Sequence, residues 1–159
     1  MHRHILIPTD GSELSQNAIG YGMALAKSVN AKVTVLTVSM PFQTFAVEPG
    51  LVTDTPEQYV KRMASLAAKY LNAAKEVALA VGVVCETVHL EHDQAYLAII
   101  ETAAQRSCDL IVMASHGRRG ISAVVLGSET VKVLTHSAIP VLVVRAPHQG
   151  IFAPLSSLT

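Results

Sequence analysis

Charge is scarce in this 159-residue chain and neither sign prevails: 12 Lys+Arg stand against 12 Asp+Glu, and charged residues make up 15%. Duplex nucleic acid and anionic membranes are bound through a basic excess, so neither is an expected partner. No apolar run approaches the ~20 residues of a membrane span, and the opening MHRHILIPTDG is too short in apolar residues for a signal peptide. Cys85 and Cys108 lack CxxC spacing and read as reduced thiols of a cytoplasmic protein. Two familiar phosphate motifs are also missing. There is no GxxxxGK[ST], and the first strand–helix turn carries only Gly11, which excludes the GxGxxG dinucleotide fingerprint. A phospho-acceptor domain would cluster carboxylates at its strand ends and place a lysine after its last strand. Here Asp10 stands alone and Arg145 occupies the lysine's place.

What is present is an apolar half, enough for one globular domain with a sizeable core. Residues 4–9 (HILIPT), 32–38, 83–90, 109–114 and 140–145 read as five strands. Helices are expected over 13–29 behind Ser12, from Thr55-Pro56 to Gly82, over 94–107 behind Asp93, and near 128–137 with Ser128 at its start. Their inner faces are drawn through Leu14, Ala18, Gly22, Leu25 and Val29; through Val60, Met63, Ala64, Ala67, Leu71, Ala74 and Ala78; through Tyr96, Ile99, Ile100 and Ala103; and through Val131 and Leu134. Residues 39–55, with two prolines, a glycine and no periodicity, read as a long loop.

Strict alternation of strand and helix implies a doubly wound α/β fold: a five-stranded parallel sheet of order 3-2-1-4-5 with helices on both faces. In that order the sheet reverses between strands one and four, and ligands settle in the crevice at their carboxyl ends. Those ends are Pro8-Thr9-Asp10 and Ala114-Ser115-His116-Gly117. The second opens a loop rich in glycine, hydroxyl and arginine that leads into a helix, where backbone N–H groups and the helix dipole favour an anion. Asp10 can either cap the first helix or touch a ligand, and His116 can be a turn residue or a phosphate contact. His89, Glu91, His92 and Asp93 crowd together in sequence, but alternation puts His89 and Glu91 on one strand face and His92 beyond the strand end, so no metal site is expected.

The segments ILIPTDGSELS, DLIVMASHGRRG, LGSETVKVL and IPVLVVR resemble single-domain members of the universal stress protein (UspA) superfamily, over essentially residues 1–146. ATP-binding members of that family carry Gly, two residues, Gly, nine residues, then Gly-Ser or Gly-Thr. Gly117, residues 118–126 and Gly127-Ser128 match, whereas the first position is Ala114. Glycine is required where φ is positive or a ligand lies against the backbone. At the extended end of a strand alanine fits, with one methyl near the ribose or α-phosphate. By resemblance, Pro8, Thr9 and Asp10 line the adenine side, Val38 offers backbone groups to the base, and Met113 and Ala114 border the ribose. His116, Gly117, Arg118, Arg119, Gly127, Ser128 and Glu129 surround the phosphates of ATP, with Mg²⁺.

The expected function is therefore a nucleotide-binding stress or regulatory protein without efficient catalysis. The alternatives are an ATP-dependent hydrolase or adenylyl-transferase, and a ligand-free dimeric interaction protein. No catalytic residue is assigned. A homodimer through strand 140–145 is expected, because that edge is apolar on both faces up to Arg145, and residues 147–159 form a C-terminal tail.

Overall fold

The computed structural model describes residues 1–45, 54–117 and 125–146. The elements are β1 (His4–Pro8), α1 (Glu13–Val29), β2 (Lys32–Ser39), α2 (Phe42–Phe45), α3 (Pro56–Val81), β3 (Cys85–Glu91), α4 (Ala95–Gln105), β4 (Leu110–Ala114), α5 (Ser128–His136) and β5 (Val141–Val144). The sheet is parallel throughout, in the order β3-β2-β1-β4-β5. This is the order read from the sequence.

Strand alternation divides the core in two. Ile5, Ile7, Val33, Val35 and Val112 meet α1 and α3, packing on Ile19, Met23, Leu71 and Ala74. On the other face Leu6, Leu36, Ile111 and Met113 meet Ile99 and Ala103 of α4 and Val133 of α5. Helices thus cover both faces of the sheet, and the apolar runs of β1 and β4 are buried on both sides.

Sequence-level stops and starts are mostly realised. Ser12 caps α1, accepting from the Ser15 N–H at 3.2 Å, and Thr55 and Gln58 form a reciprocal capping box at α3. Gly82 closes α3 at φ 73°, in the left-handed region. Four expectations need correction. The α1 face is rotated: Ser15, Ile19, Met23 and Ala26 are buried with Ala18 and Gly22, while Leu14, Leu25 and Val29 are only partly covered, because the helix sits against a sheet wide enough to bury two adjoining rows. In α3, Tyr59 is buried and Val60 and Ala64 are exposed; the Tyr59 hydroxyl donates to the Met40 carbonyl at 2.7 Å, which turns that first turn inward. Asp93 does not cap α4; the N-cap is Gln94, and the Asp93 carboxylate instead lies 3.4 Å from His92 Nδ1. In α5 the buried residues are Thr130 and Val133, whereas Val131 and Leu134 are 44% and 42% exposed. The Thr130 hydroxyl donates to the Ala114 carbonyl at 3.0 Å and so fixes which side of α5 faces β4. The long loop after β2 contains the helical turn α2; residues 46–53 and the tail 147–159 lie outside the described residues.

Candidate functional site

The crevice has two walls, and the first is the turn after β1. Thr9 is bonded through every polar group it has. Its N–H donates to the Leu36 carbonyl at 2.8 Å, its carbonyl accepts from Thr37 Oγ1 at 3.1 Å, and its hydroxyl meets Ser15 Oγ at 3.0 Å and the Gly11 N–H at 3.2 Å. Asp10 Oδ1 accepts from the Ser12 N–H at 2.9 Å, an Asx turn that starts α1. Gly11 takes φ 77°, and the Tyr70 ring lies where a side chain would project. Only glycine satisfies both demands.

That turn has a consequence for β2. Even-numbered residues of β2 present their peptide groups to β1, as the Lys32 N–H to Arg3 carbonyl bond (3.0 Å) and the Thr9 N–H to Leu36 carbonyl bond (2.8 Å) mark. Odd-numbered residues face β3: the Val33 N–H reaches the Val84 carbonyl and the Ser39 carbonyl accepts from the His92 N–H, both at 2.9 Å. Val38 is the next even residue. A continuing ladder would join its N–H to the Thr9 carbonyl and its carbonyl to the Gly11 N–H. The first of these is taken by Thr37 Oγ1 and the second by Thr9 Oγ1. Because β1 turns away at Asp10, the Val38 N–H and C=O make no bond to that turn among the described residues.

The second wall is the end of β4 and the start of α5. Met113 and Ala114 are buried, Ala114 at 8% exposure and in strand conformation. Non-glycine residues with positive φ are Asn30 and Ser107 among the described residues, so alanine at 114 is unstrained. Gly117 and Gly127 both stand close to neighbouring atoms. A Cβ on Gly117 would stand 2.5 Å from Asp10 Oδ2, and one on Gly127 would stand 2.9 Å from His116 Cβ and 3.0 Å from His116 Cα. Gly127 has φ −64°, and its N–H donates to the Ser115 carbonyl at 2.8 Å. Close approach of His116 demands glycine at 127, whereas at 117 the near atoms belong to the end of the Asp10 side chain, which a methyl would displace.

Gly127 is also the N-cap of α5, with Ser128 next to it as the first helical residue, and no side chain caps this helix among the described residues. Its first N–H groups thus have no acceptor among the described residues. Ser128, exposed, begins the helix, and His116 Nδ1 lies 3.2 Å from Ser115 Oγ. Glu129 turns away from this end: its carboxylate takes the Tyr96 N–H of α4 at 2.9 Å and lies 3.3 Å from Lys132 Nζ. Pro8, Thr9, Asp10, Val38, Met113, Ala114, His116, Gly117, Gly127 and Ser128 are thus gathered at the carboxyl rim, whereas Arg118 and Arg119 lie outside the described residues. Sequence reasoning missed Thr37, Tyr70 and Thr130, which shape the walls. The parity of β2 points to Thr37 and the register of α5 against β4 to Thr130, but Tyr70 leaves no local trace.

Other groups do not build a second centre. His89 Nε2 is bonded to Ser39 Oγ at 2.6 Å and His92 Nδ1 accepts from the Gln94 N–H at 2.8 Å; no group of three or more metal-ligating side chains occurs among the described residues. Burial pushes the Cys108 thiol up to about 11 and raises Cys85 as well, which disfavours the thiolate at both. A shallow hollow of about 210 Å³ beside Lys27, Asn30, Lys32 and Gly82 lies at the opposite end of the sheet, away from the strand ends that favour ligands.

The universal stress protein family model matches residues 1–145. The chain belongs to the universal stress protein family. It is 32% identical over 155 residues to universal stress protein MJ0531 of Methanocaldococcus jannaschii, covering 92% of this chain and 84% of that one. It is 30% identical over 149 residues to universal stress protein YxiE of Bacillus subtilis, covering 91% of this chain and all of that one. Among solved structures, MJ0577 superposes with a TM-score of 0.78 at 26% identity, over 94% and 99% of the two chains. Two further universal stress proteins share the fold at TM-scores of 0.66 and 0.63 (23% and 16% identity), each over 91% of this chain and over 97% and 98% of their own; the first was solved with cAMP and the second, from Archaeoglobus fulgidus, with dAMP.

Proposed function

We propose that this universal stress protein binds an adenine nucleotide in the crevice between β1 and β4, with ATP as the ligand, and acts in a stress response as a regulatory binding protein without efficient catalysis. The pair of released peptide groups at Val38 carries this reading. A donor and an acceptor on one residue complement the ring nitrogen and exocyclic amine of adenine. Guanine presents the reverse pattern along its corresponding edge and would meet a donor with a donor. Pro8, Thr9 and Asp10 flank the base, Met113 and Ala114 the ribose. The phosphates meet the uncapped N–H groups of α5, Ser128 Oγ, His116 and the glycine backbone, with Arg118 and Arg119 adding charge. Without Glu129 in that shell, Mg²⁺ is held by phosphate oxygens and water, its usual preference. Two structural neighbours carry adenine nucleotides, in keeping with this reading.

The test is thermal unfolding at fixed protein concentration with ATP, ADP, AMP or GTP. At 100 times the dissociation constant a ligand specific to the folded state adds ~2.7 kcal/mol, a melting shift of roughly 5–10 °C at this size. ATP is expected to give that shift and GTP little. No shift with any adenine nucleotide at millimolar concentration sinks the proposal.

The same reading includes a homodimer built on β5. The polar groups of β3, Glu86, Thr87 and His89, blunt one sheet edge, but β5 is Val-Leu-Val-Val at the other, and α5 exposes Val131 and Leu134 on the same side of the sheet as its packing against β5. A two-fold axis would pair β5 with its copy, antiparallel and self-complementary.

A further inference from the structure

We infer that Glu129 is a positioning residue for the phosphate end of the crevice, acting through α4; the inference rests on the nucleotide reading above. Helix α4 has no cap of its own. Its N-cap, Gln94, makes no side-chain bond to the first turn, and Asp93 is turned to His92. The missing acceptor comes from a different helix. Glu129, second residue of α5, accepts the N–H of Tyr96, second residue of α4, at 2.9 Å.

The same face of α5 holds the Tyr96 side chain. Lys132 Nζ lies 5.4 Å from the ring centroid, and the His136 ring lies 5.5 Å away. Lys132 also meets Glu129 at 3.3 Å, so the carboxylate and its cation grip one residue together. On its other side α5 is fastened to β4 by the Gly127 N–H to the Ser115 carbonyl and by Thr130 Oγ1 to the Ala114 carbonyl. Helix α5 is only 9 residues long, so these few ties set where its open N–H groups point. Glu129 and Gly127 are the ties on either side of Ser128, and Glu129 is the one that reaches α4. A carboxylate there would repel phosphate if it faced the crevice; spent on α4, it fixes the anion-facing end without opposing the anion. Coupling of this kind is reciprocal, so nucleotide on α5 should also protect the start of α4.

The experiment compares the parent with Glu129→Gln, Glu129→Ala, and Glu129→Ala combined with Gln94→Ser. It reads exchange of the Tyr96 amide and the affinity for ATP with Mg²⁺. Glu129→Gln keeps the acceptor, and is expected to match the parent within about twofold in exchange and to bind ATP at least as tightly. Glu129→Ala should speed Tyr96 exchange about three- to tenfold and weaken ATP by a similar factor. Adding Gln94→Ser supplies a cap within α4, restoring Tyr96 protection but not ATP affinity, because the tie to α5 is still absent. Recovery of both would reduce Glu129 to a simple cap and overturn the inference. Unchanged Tyr96 exchange or unchanged ATP affinity in Glu129→Ala overturns it, as does equal loss in the Gln and Ala variants, which would make the carboxylate a metal-holding group. A parent that binds no ATP overturns the nucleotide reading and this coupling together, an outcome distinct from the others.

Discussion

Gly127 answers two demands at once. Its N–H fastens α5 to Ser115, and its bare Cα lets the helix start within contact distance of the His116 backbone. Gly127→Ala would press a methyl 2.9 Å from His116 Cβ, an overpacking that costs about 1–3 kcal/mol. We expect chemical denaturation to show that loss and the ATP-induced melting shift to shrink with it; full stability with full ATP response would mean the approach is not needed. Ala114 makes the opposite case. Its methyl is buried in a strand, so Ala114→Gly should lower stability by about 0.5–1 kcal/mol through backbone entropy. Its ATP response should stay equal or grow. A weaker response would show that the methyl itself supports the ligand.

Helices and strands carry the next set of expectations. In α1, Gly20 is exposed, and a Cβ there would meet nothing within 4 Å. Gly20→Ala should raise stability by about 0.5–1 kcal/mol, seen as a higher melting temperature; no gain would imply an unseen neighbour at that face. His4 joins three elements: its ring meets the Arg106 carbonyl at the end of α4 through Nδ1 at 2.9 Å and Thr34 Oγ1 of β2 through Nε2 at 2.8 Å. Burial, aided by Lys32, lowers its pKa below the ordinary 6.5. The unfolded chain therefore binds the proton more readily, and stability falls as pH drops from 6.5 toward the folded value, then levels. His4→Gln should flatten unfolding free energy across that window. Asp109 acts lower still: burial opposes its charge, but the N–H groups of Arg3 and His4 outweigh this and hold it below 3.8, so its contribution is lost only in stronger acid.

Elements were legible in the sequence where a residue acts on its own neighbours. Ser12, Thr55 and Gly82 mark helix ends because capping is local, and β-branched runs mark strands for the same reason. Helix faces were less legible. The inward side of α5 depends on a hydroxyl meeting a strand carbonyl, Thr130 to Ala114, and the apolar pattern of Val131 and Leu134 points elsewhere. The cap of α4 was misassigned because its acceptor, Glu129, lies 33 positions from Tyr96 in the chain. The candidate site followed from strand order and glycine spacing, whereas the reason for Gly127, His116 crowding against it, required tertiary structure.

At the scale of the whole molecule, an edge strand and a formal net charge of zero matter most. A chain without net charge gains little colloidal protection from repulsion, so an apolar edge left open invites association. Val143→Lys should convert the proposed dimer to monomer or unfold it, read by light scattering alongside melting. A parent that is monomeric at tens of micromolar would end the dimer proposal. Early termination of β1 has a different reach. Under the proposed reading, the base would take the place of one more rung in the β1–β2 ladder, and its selection would be written in the main chain. Side chains at position 38 could then drift, as Val38→Ile or Val38→Thr would imitate, without altering the choice of base. Lengthening the first strand by a residue pair, so that the sheet finished its own hydrogen bonding, would erase that choice while leaving every side chain of the crevice in the sequence.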